Sequence, residues 1–183
     1  MDIEVPKSLR YRDGEYALER FPGSPAANSS LRVKRIFTRS LRAVHRPWFA
    51  VWMPTGVAEL TTIGRKSGKE RKTFVRANRV GEVAYLVSIT GEHSIWLKNI
   101  RANPQVPLRF RRESFTGVAR DLGDDSERQA IDAAFCGRQY PFDYVENFFH
   151  RQKWPTRTKI IELHRAWLGG GTPLIVESAW TKM

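Results

Sequence analysis

From residue 57 onward the spacing of apolar and polar positions changes repeatedly, and each change marks an element. Strand-like runs over 57–63, 72–78 and 83–89, separated by turns at 64–69 and 79–82, predict three antiparallel strands. Residues 94–101 switch to helical spacing and stop at Asn103-Pro104, because a residue before proline is pushed out of the helical region. Two more strands follow at 106–111 and 114–121, folded about Arg112-Glu113. Asp124-Asp125-Ser126 opens a helix to about residue 135, its acidic side chains placed where a helix N-terminus favours them. Residues 140–152 and 158–168 read as two further helices, the second stopped by Gly169-Gly170-Gly171, and 174–177 as a closing strand. Six strands, short turns, one inserted helix and a helical block before the last strand predict an α+β fold, a small β-barrel with flanking helices. A doubly wound nucleotide fold is excluded, since there is no G-x-G-x-x-G after a strand and no βαβ alternation.

The first third of the chain reads differently. Residues 1–30 carry Pro6, Gly14, Pro22, Gly23 and Pro25 and suggest an irregular arm. Ser29 or Ser30 would cap a helix over 31–45, with Val33, Ile36, Phe37, Leu41 and Val44 near one face and Arg32, Lys34, Arg35, Arg39 and Arg42 around the rest. Such a helix either packs on its own domain or lies on an anionic membrane surface. The expected division is therefore a basic arm and helix over 1–55 and a barrel over 56–183. Between them Trp48, Phe49 and Trp52, flanked by Pro47 and Pro54, either line a cavity or close the core.

Composition narrows the chemistry. The net charge of +12 implies an acidic partner: nucleic acid, anionic lipid or a polyanionic small molecule. No zinc-finger, RNP or basic-zipper pattern accompanies it, which argues against nucleic acid. The single cysteine, Cys136, the acidic N-terminus and the absence of a long apolar run lead to an expected cytoplasmic location. His45, His93, His150 and His164 lie outside any zinc-hydrolase spacing, and neither a G-x-S-x-G elbow nor a P-loop is present. No metal is expected, and an enzyme of this composition would borrow a redox cofactor.

The chemistry-bearing stretch is Leu60-Thr61-Thr62-Ile63-Gly64-Arg65-Lys66-Ser67-Gly68-Lys69-Glu70-Arg71. A glycine-bounded turn rich in cations suits a phosphate or carboxylate, through side chains and through backbone N–H groups; a solvated basic hairpin is the other reading. About 30 residues on stands Trp96-Leu97-Lys98-Asn99-Ile100-Arg101-Ala102-Asn103-Pro104. The two motifs, in this order, resemble the deazaflavin-dependent nitroreductase and quinone reductase family. The resemblance implies a split β-barrel of the pyridoxamine-oxidase-like, flavin-reductase type. It also implies coenzyme F420 as the cofactor, in preference to FMN or another flavin. Its phosphodiester and oligoglutamate tail would explain the basic charge. By the same resemblance the coenzyme contacts Leu60, Thr61, Arg65, Lys66, Ser67, Gly68, Lys69 and Arg71, with its ring near Ser88, Ile89, Thr90 and Gly91 and beside Trp96 and Asn99.

The expected reaction passes a hydride to a small-molecule electron acceptor: a quinone, a nitroaromatic or an activated enone. Tyr140, Tyr144 and Ser88 are the expected catalytic residues, and Trp48, Phe49, Trp52 and Phe142 an apolar substrate pocket. An extra helical segment, about 156–168, would cover that side. The alternative is a non-catalytic lipid-, flavin- or tetrapyrrole-binding protein on the same fold. Peripheral association with the inner face of the cell membrane is a further expectation, and monomer and homodimer both remain open.

Overall fold

The computed structural model describes residues 4–6, 9, 48–49, 52–151 and 153–178. Six strands, β1 (Val57–Ile63), β2 (Glu70–Val80), β3 (Val83–Ser88), β4 (Gln105–Arg109), β5 (Ser114–Asp121) and β6 (Thr172–Ser178), close into a barrel in the order β1-β2-β3-β6-β5-β4. Every pairing is antiparallel. Successive strand side chains point to opposite faces, so alternate positions fill the interior: Ala58 and Leu60, Val75 and Ala77, Ala84 and Leu86, Val106 and Leu108, Phe115 and Ala119, Leu174 and Val176. Gly117 occupies one such position because β6 leaves no room for a side chain. A Cβ there would lie 2.2 Å from the Glu177 carbonyl oxygen. This is the α+β split barrel with flanking helices that the sequence implied.

Among the described residues, the helices around it include α1 (Ile95–Ala102), preceded by a 3-10 turn at Gly91–His93, then α2 (Asp125–Cys136), α3 (Pro141–Arg151) and α4 (Arg157–Gly170). Leu97 and Ile100 of α1 join the barrel core. A second core lies outside the barrel, where Val87 meets Ile131 and Phe135 of α2, Leu163 and Trp167 of α4, and Leu9. Leu9 is 1% exposed within this core. The side chains of Asp124 and Thr156 accept the N–H groups of Glu127 and Lys159 and start α2 and α4. The helix predicted over 31–45 lies outside the described residues.

Several boundaries differ from expectation, β2 and α4 among them. Strand β2 runs from 70 to 80, longer at both ends than the predicted 72–78. Helix α4 continues through Gly169 and Gly170 and stops at Gly171. There a Cβ would stand 2.4 Å from the Ser88 carbonyl oxygen and 2.6 Å from that of Trp167, so close approach to β3 sets the end.

Candidate functional site

The basic turn joins β1 to β2 and is locally self-sufficient. Gly64 N–H donates to the Lys69 carbonyl at 2.9 Å, and the N–H groups of Ser67 and Gly68 donate to the Gly64 carbonyl at 3.0 and 2.8 Å. Gly68 adopts φ +64°, a conformation that favours glycine. The Arg65 N–H donates to Asn99 Oδ1 at 3.3 Å, and Asn99 Nδ2 donates to Thr62 Oγ1 at 3.3 Å. Asn99 is 3% exposed, so a buried carboxamide on α1 ties the turn to the barrel. Most of the turn's N–H groups are thus spent within the protein. What the turn offers to a ligand is side chains: Arg65, Lys66, Lys69 and Arg71 are all exposed, and among the described residues none meets a carboxylate.

The other residues implied by resemblance fall around this turn unevenly. Thr61 is half-buried, Ser67 is exposed with Gly68, and Leu60 is fully buried in the barrel interior. Ser88 ends β3, 1% exposed, and its hydroxyl donates to the Gly91 carbonyl at 3.0 Å. Ile89 and Thr90 form the following turn, and Gly91 holds φ +52°. Trp96 is half-buried against the barrel core. The short loop before it is pinned by Arg101, which bonds Glu92 and reaches Asp121 at 3.3 Å. Its guanidinium holds the Glu92 carboxyl below the usual range.

The expected substrate side is arranged otherwise. Phe49 is 6% exposed and packs edge-on against Phe74 and Phe142, with ring centroids 5.1 and 5.7 Å away, in a small core with Met53 and Val57. These phenylalanines pack into a core, and Trp48 and Trp52 are exposed. Tyr140 and Tyr144 are also separated in environment. Tyr144 sits on the outer face of α3 with Val145, Phe148 and Phe149, whereas Tyr140 lines a cleft of about 420 Å³ beside Gly56, Asn78 and Arg112. Val57, at this cleft, and Ile63, at the basic turn, stand at opposite ends of β1, about 20 Å apart at the usual strand rise.

The inward face of α3 is polar, which the sequence reading did not anticipate. Asp143, Asn147 and Arg151 are buried there. Arg76, from the outer face of β2, places Nη2 2.5 Å from Asp143 Oδ1 and Nε 3.4 Å from Glu146 Oε2. His164 Nδ1 lies 2.8 Å from the Phe135 carbonyl, which can only accept, so Nδ1 carries the proton and Nε2 accepts from Arg76 at 3.3 Å. Burial, with the Arg76 charge, pushes His164 down to about 4, and burial pushes Glu146 up to about 7. Ligand atoms of Asp143, Glu146 and His164 lie within 4.8 Å of one another. The guanidinium supplies the positive charge among them. The available sequence signal was Asp143 and Glu146 at i and i+3, opposite an arginine between the core residues Val75 and Ala77.

A closed six-stranded barrel with flanking helices defines the class of small split-barrel proteins. The chain belongs to the F420H(2)-dependent quinone reductase family, whose family model matches residues 33–155. The protein is accordingly an F420-dependent oxidoreductase, and coenzyme F420 is its cofactor. Among solved structures it is similar to an F420-H2 dependent reductase, FDR-A, at 19% identity over 69% of this chain and 97% of that one, with a TM-score of 0.43. It is similar also to a domain-swapped dimer (18% identity, 80% and 99% covered, TM-score 0.45) and to the heme storage protein HutZ of Vibrio cholerae (14%, 69% and 83%, 0.44).

Proposed function

We propose that the protein reduces an electron-poor acceptor, a quinone foremost and a nitroaromatic or activated enone by the same chemistry. The observation that carries the reading is the turn at 64–69, where Arg65, Lys66 and Lys69, with Arg71 beyond, stand exposed on a braced backbone with no carboxylate partner among the described residues. Uncompensated cations on a fixed frame suit a polyanion, so the residues present fit F420. Arg65, Lys66, Lys69 and Arg71 would hold its phosphodiester and oligoglutamate. Ser67 and Thr61 would add hydroxyl contacts. Ile89, Thr90 and Gly91 have backbone N–H groups that no described residue accepts, and these would take the polar edge of the ring beside Trp96. Bound and reduced, F420 supplies a hydride equivalent. The chain's own contribution is orientation and electrostatics. Ser88 fixes the ring-side loop through Gly91, and one phenol, that of Tyr140 or that of Tyr144, which face different surfaces, donates to an acceptor oxygen as it gains charge.

Fluorescence titration with F420 tests the reading. Lys66→Ala and Arg71→Ala should each weaken binding about tenfold, as expected for losing a charge-assisted hydrogen bond. Unchanged affinity in the double variant would overturn it. Location belongs to the same proposal. Among the described residues no helix is long and apolar enough to cross a membrane. Exposed Val145, Phe148, Phe149 and Trp154 nonetheless offer an aromatic face for peripheral contact with the inner leaflet, where a lipid-borne quinone would be met. Co-sedimentation with acidic vesicles checks it, and its loss on Phe149→Ser with Trp154→Ser is the expected result.

A further inference from the structure

The cleft lined by Tyr140 is formed by the start of β1, the open edge of β2 beyond residue 76 and the β4–β5 hairpin. Arg111 and Arg112 project from that hairpin, and among the described residues no carboxylate pairs with either. Arg79 is already bound to Glu113 at 2.8 Å, so the cleft keeps two uncompensated positive charges. Arg111 lies 5.0 Å over the Trp52 ring, which fixes its plane at the rim. Asn78 also lines the cleft. It is 9% exposed, and its carboxamide bonds to no described residue, so it is free to meet a ligand in the cleft.

The floor adds to this. Gly56, at φ +86°, leaves the Arg76 guanidinium space directly behind it: a Cβ there would come within 3.1 Å of Nη1. Among the described residues that Nη1, which is buried, has no acceptor. Phe110, Pro54 and Tyr140 supply flat apolar walls.

We propose that this cleft, at the end of β1 opposite the basic turn, is a second ligand site that binds a planar aromatic anion. The aromatic walls would hold the ring, Arg111 and Arg112 the anionic group, and Asn78 a polar edge. The proposal does not depend on where F420 binds, and it is read without the coenzyme.

Titration calorimetry of the full-length protein with 2-naphthoate tests it. Binding at one site is expected, about tenfold tighter than for the neutral naphthalene-2-carboxamide or the non-aromatic cyclohexanecarboxylate. Raising the salt concentration should weaken it. Arg111→Ala with Arg112→Ala should lose about tenfold or more. Both side chains are exposed at a hairpin, so an unchanged melting temperature should accompany the loss; Arg112→Ala alone provides a second, milder variant. Lys66→Ala with Arg71→Ala should leave naphthoate binding intact. Equal affinity for the neutral amide, no effect of the Arg111 and Arg112 variants, or displacement of naphthoate by F420 would each overturn the proposal.

Discussion

Replacing Arg76 with methionine removes the one cation in a buried cluster while keeping most of the side chain's bulk between Phe142 and Trp167. Asp143 is 1% exposed, and would keep the Tyr140 N–H at 2.6 Å on Oδ2 but lose the guanidinium from Oδ1. Breaking a buried ion pair by removing one partner costs about 3–5 kcal/mol, because the remaining charge is stranded. Part of this is returned. Nε and Nη1 of Arg76 lack hydrogen-bond partners, and removing buried unsatisfied donors recovers on the order of 1 kcal/mol. The net expectation at pH 8 is a loss of about 2–4 kcal/mol, or roughly 5–15 °C in melting temperature for a chain of this size. At pH 5.5 the loss should be smaller, since Glu146, which titrates at about 7, is then uncharged and only one stranded carboxylate is ionised. Urea denaturation at both pH values measures this. Adding Asp143→Leu should recover a large part, because an apolar replacement of the whole pair leaves no stranded charge. A single-variant loss below about 1 kcal/mol, or strictly additive losses in the double variant, would refute the reasoning.

Wild-type stability should itself vary with pH. Glu146 is raised to about 7, so the folded state holds a proton that the unfolded state loses near 4.5, and its contribution declines as pH rises between those values. His150 and His164 are lowered to about 4, so they destabilise the fold as pH drops from 6.5 toward 4. The two histidines outweigh the one glutamate, stability should peak near pH 6.5, and Glu146→Gln should remove the decline just above it in a melting-temperature series. Asn99→Leu should weaken F420 binding about tenfold by freeing the Arg65 backbone, while Asn99→Asp, which keeps the acceptor, should recover most of it in the same titration. Tyr140 and Tyr144 face different surfaces, so only one of Tyr140→Phe and Tyr144→Phe should slow acceptor reduction, by roughly one to two decades with F420 affinity unchanged, as expected for losing one donor to developing charge; full activity in the double variant would make both tyrosines structural.

Much of the barrel was legible because its strands alternate cleanly and its turns carry glycine or charge. Val57–Ile63 is bounded as the sequence indicated. The hidden part is polar. Arg76 and Asn78 are buried on the outer face of β2, a face that strand alternation alone assigns to solvent. Only the helices folded over it reverse that assignment. The i, i+4 spacing put Tyr140 and Tyr144 on one helical face. It could not say which face turns inward, and the partner that turns Asp143 inward, Arg76, lies 67 residues away. Phe49 and Phe142 were equally compatible with a pocket and with a core, and the packing of Phe49 on Phe74 of β2 was not visible in either local sequence.

The place of β6 in the barrel carries a consequence for synthesis on the ribosome. It is inserted between β3 and β5, joining Ala84 to Val176 and Ala119 to Val176. The barrel therefore cannot close until a strand made after all three of the helices α2, α3 and α4 has emerged. About 50 residues separate the end of β5 from the start of β6, which at the usual elongation rates is roughly 3–10 s of translation. For that interval β3 and β5 each present an unpaired edge, and the nascent chain is exposed to pairing with its neighbours on the same message. A chaperone that covers strand edges would have its window there, before the last strand arrives.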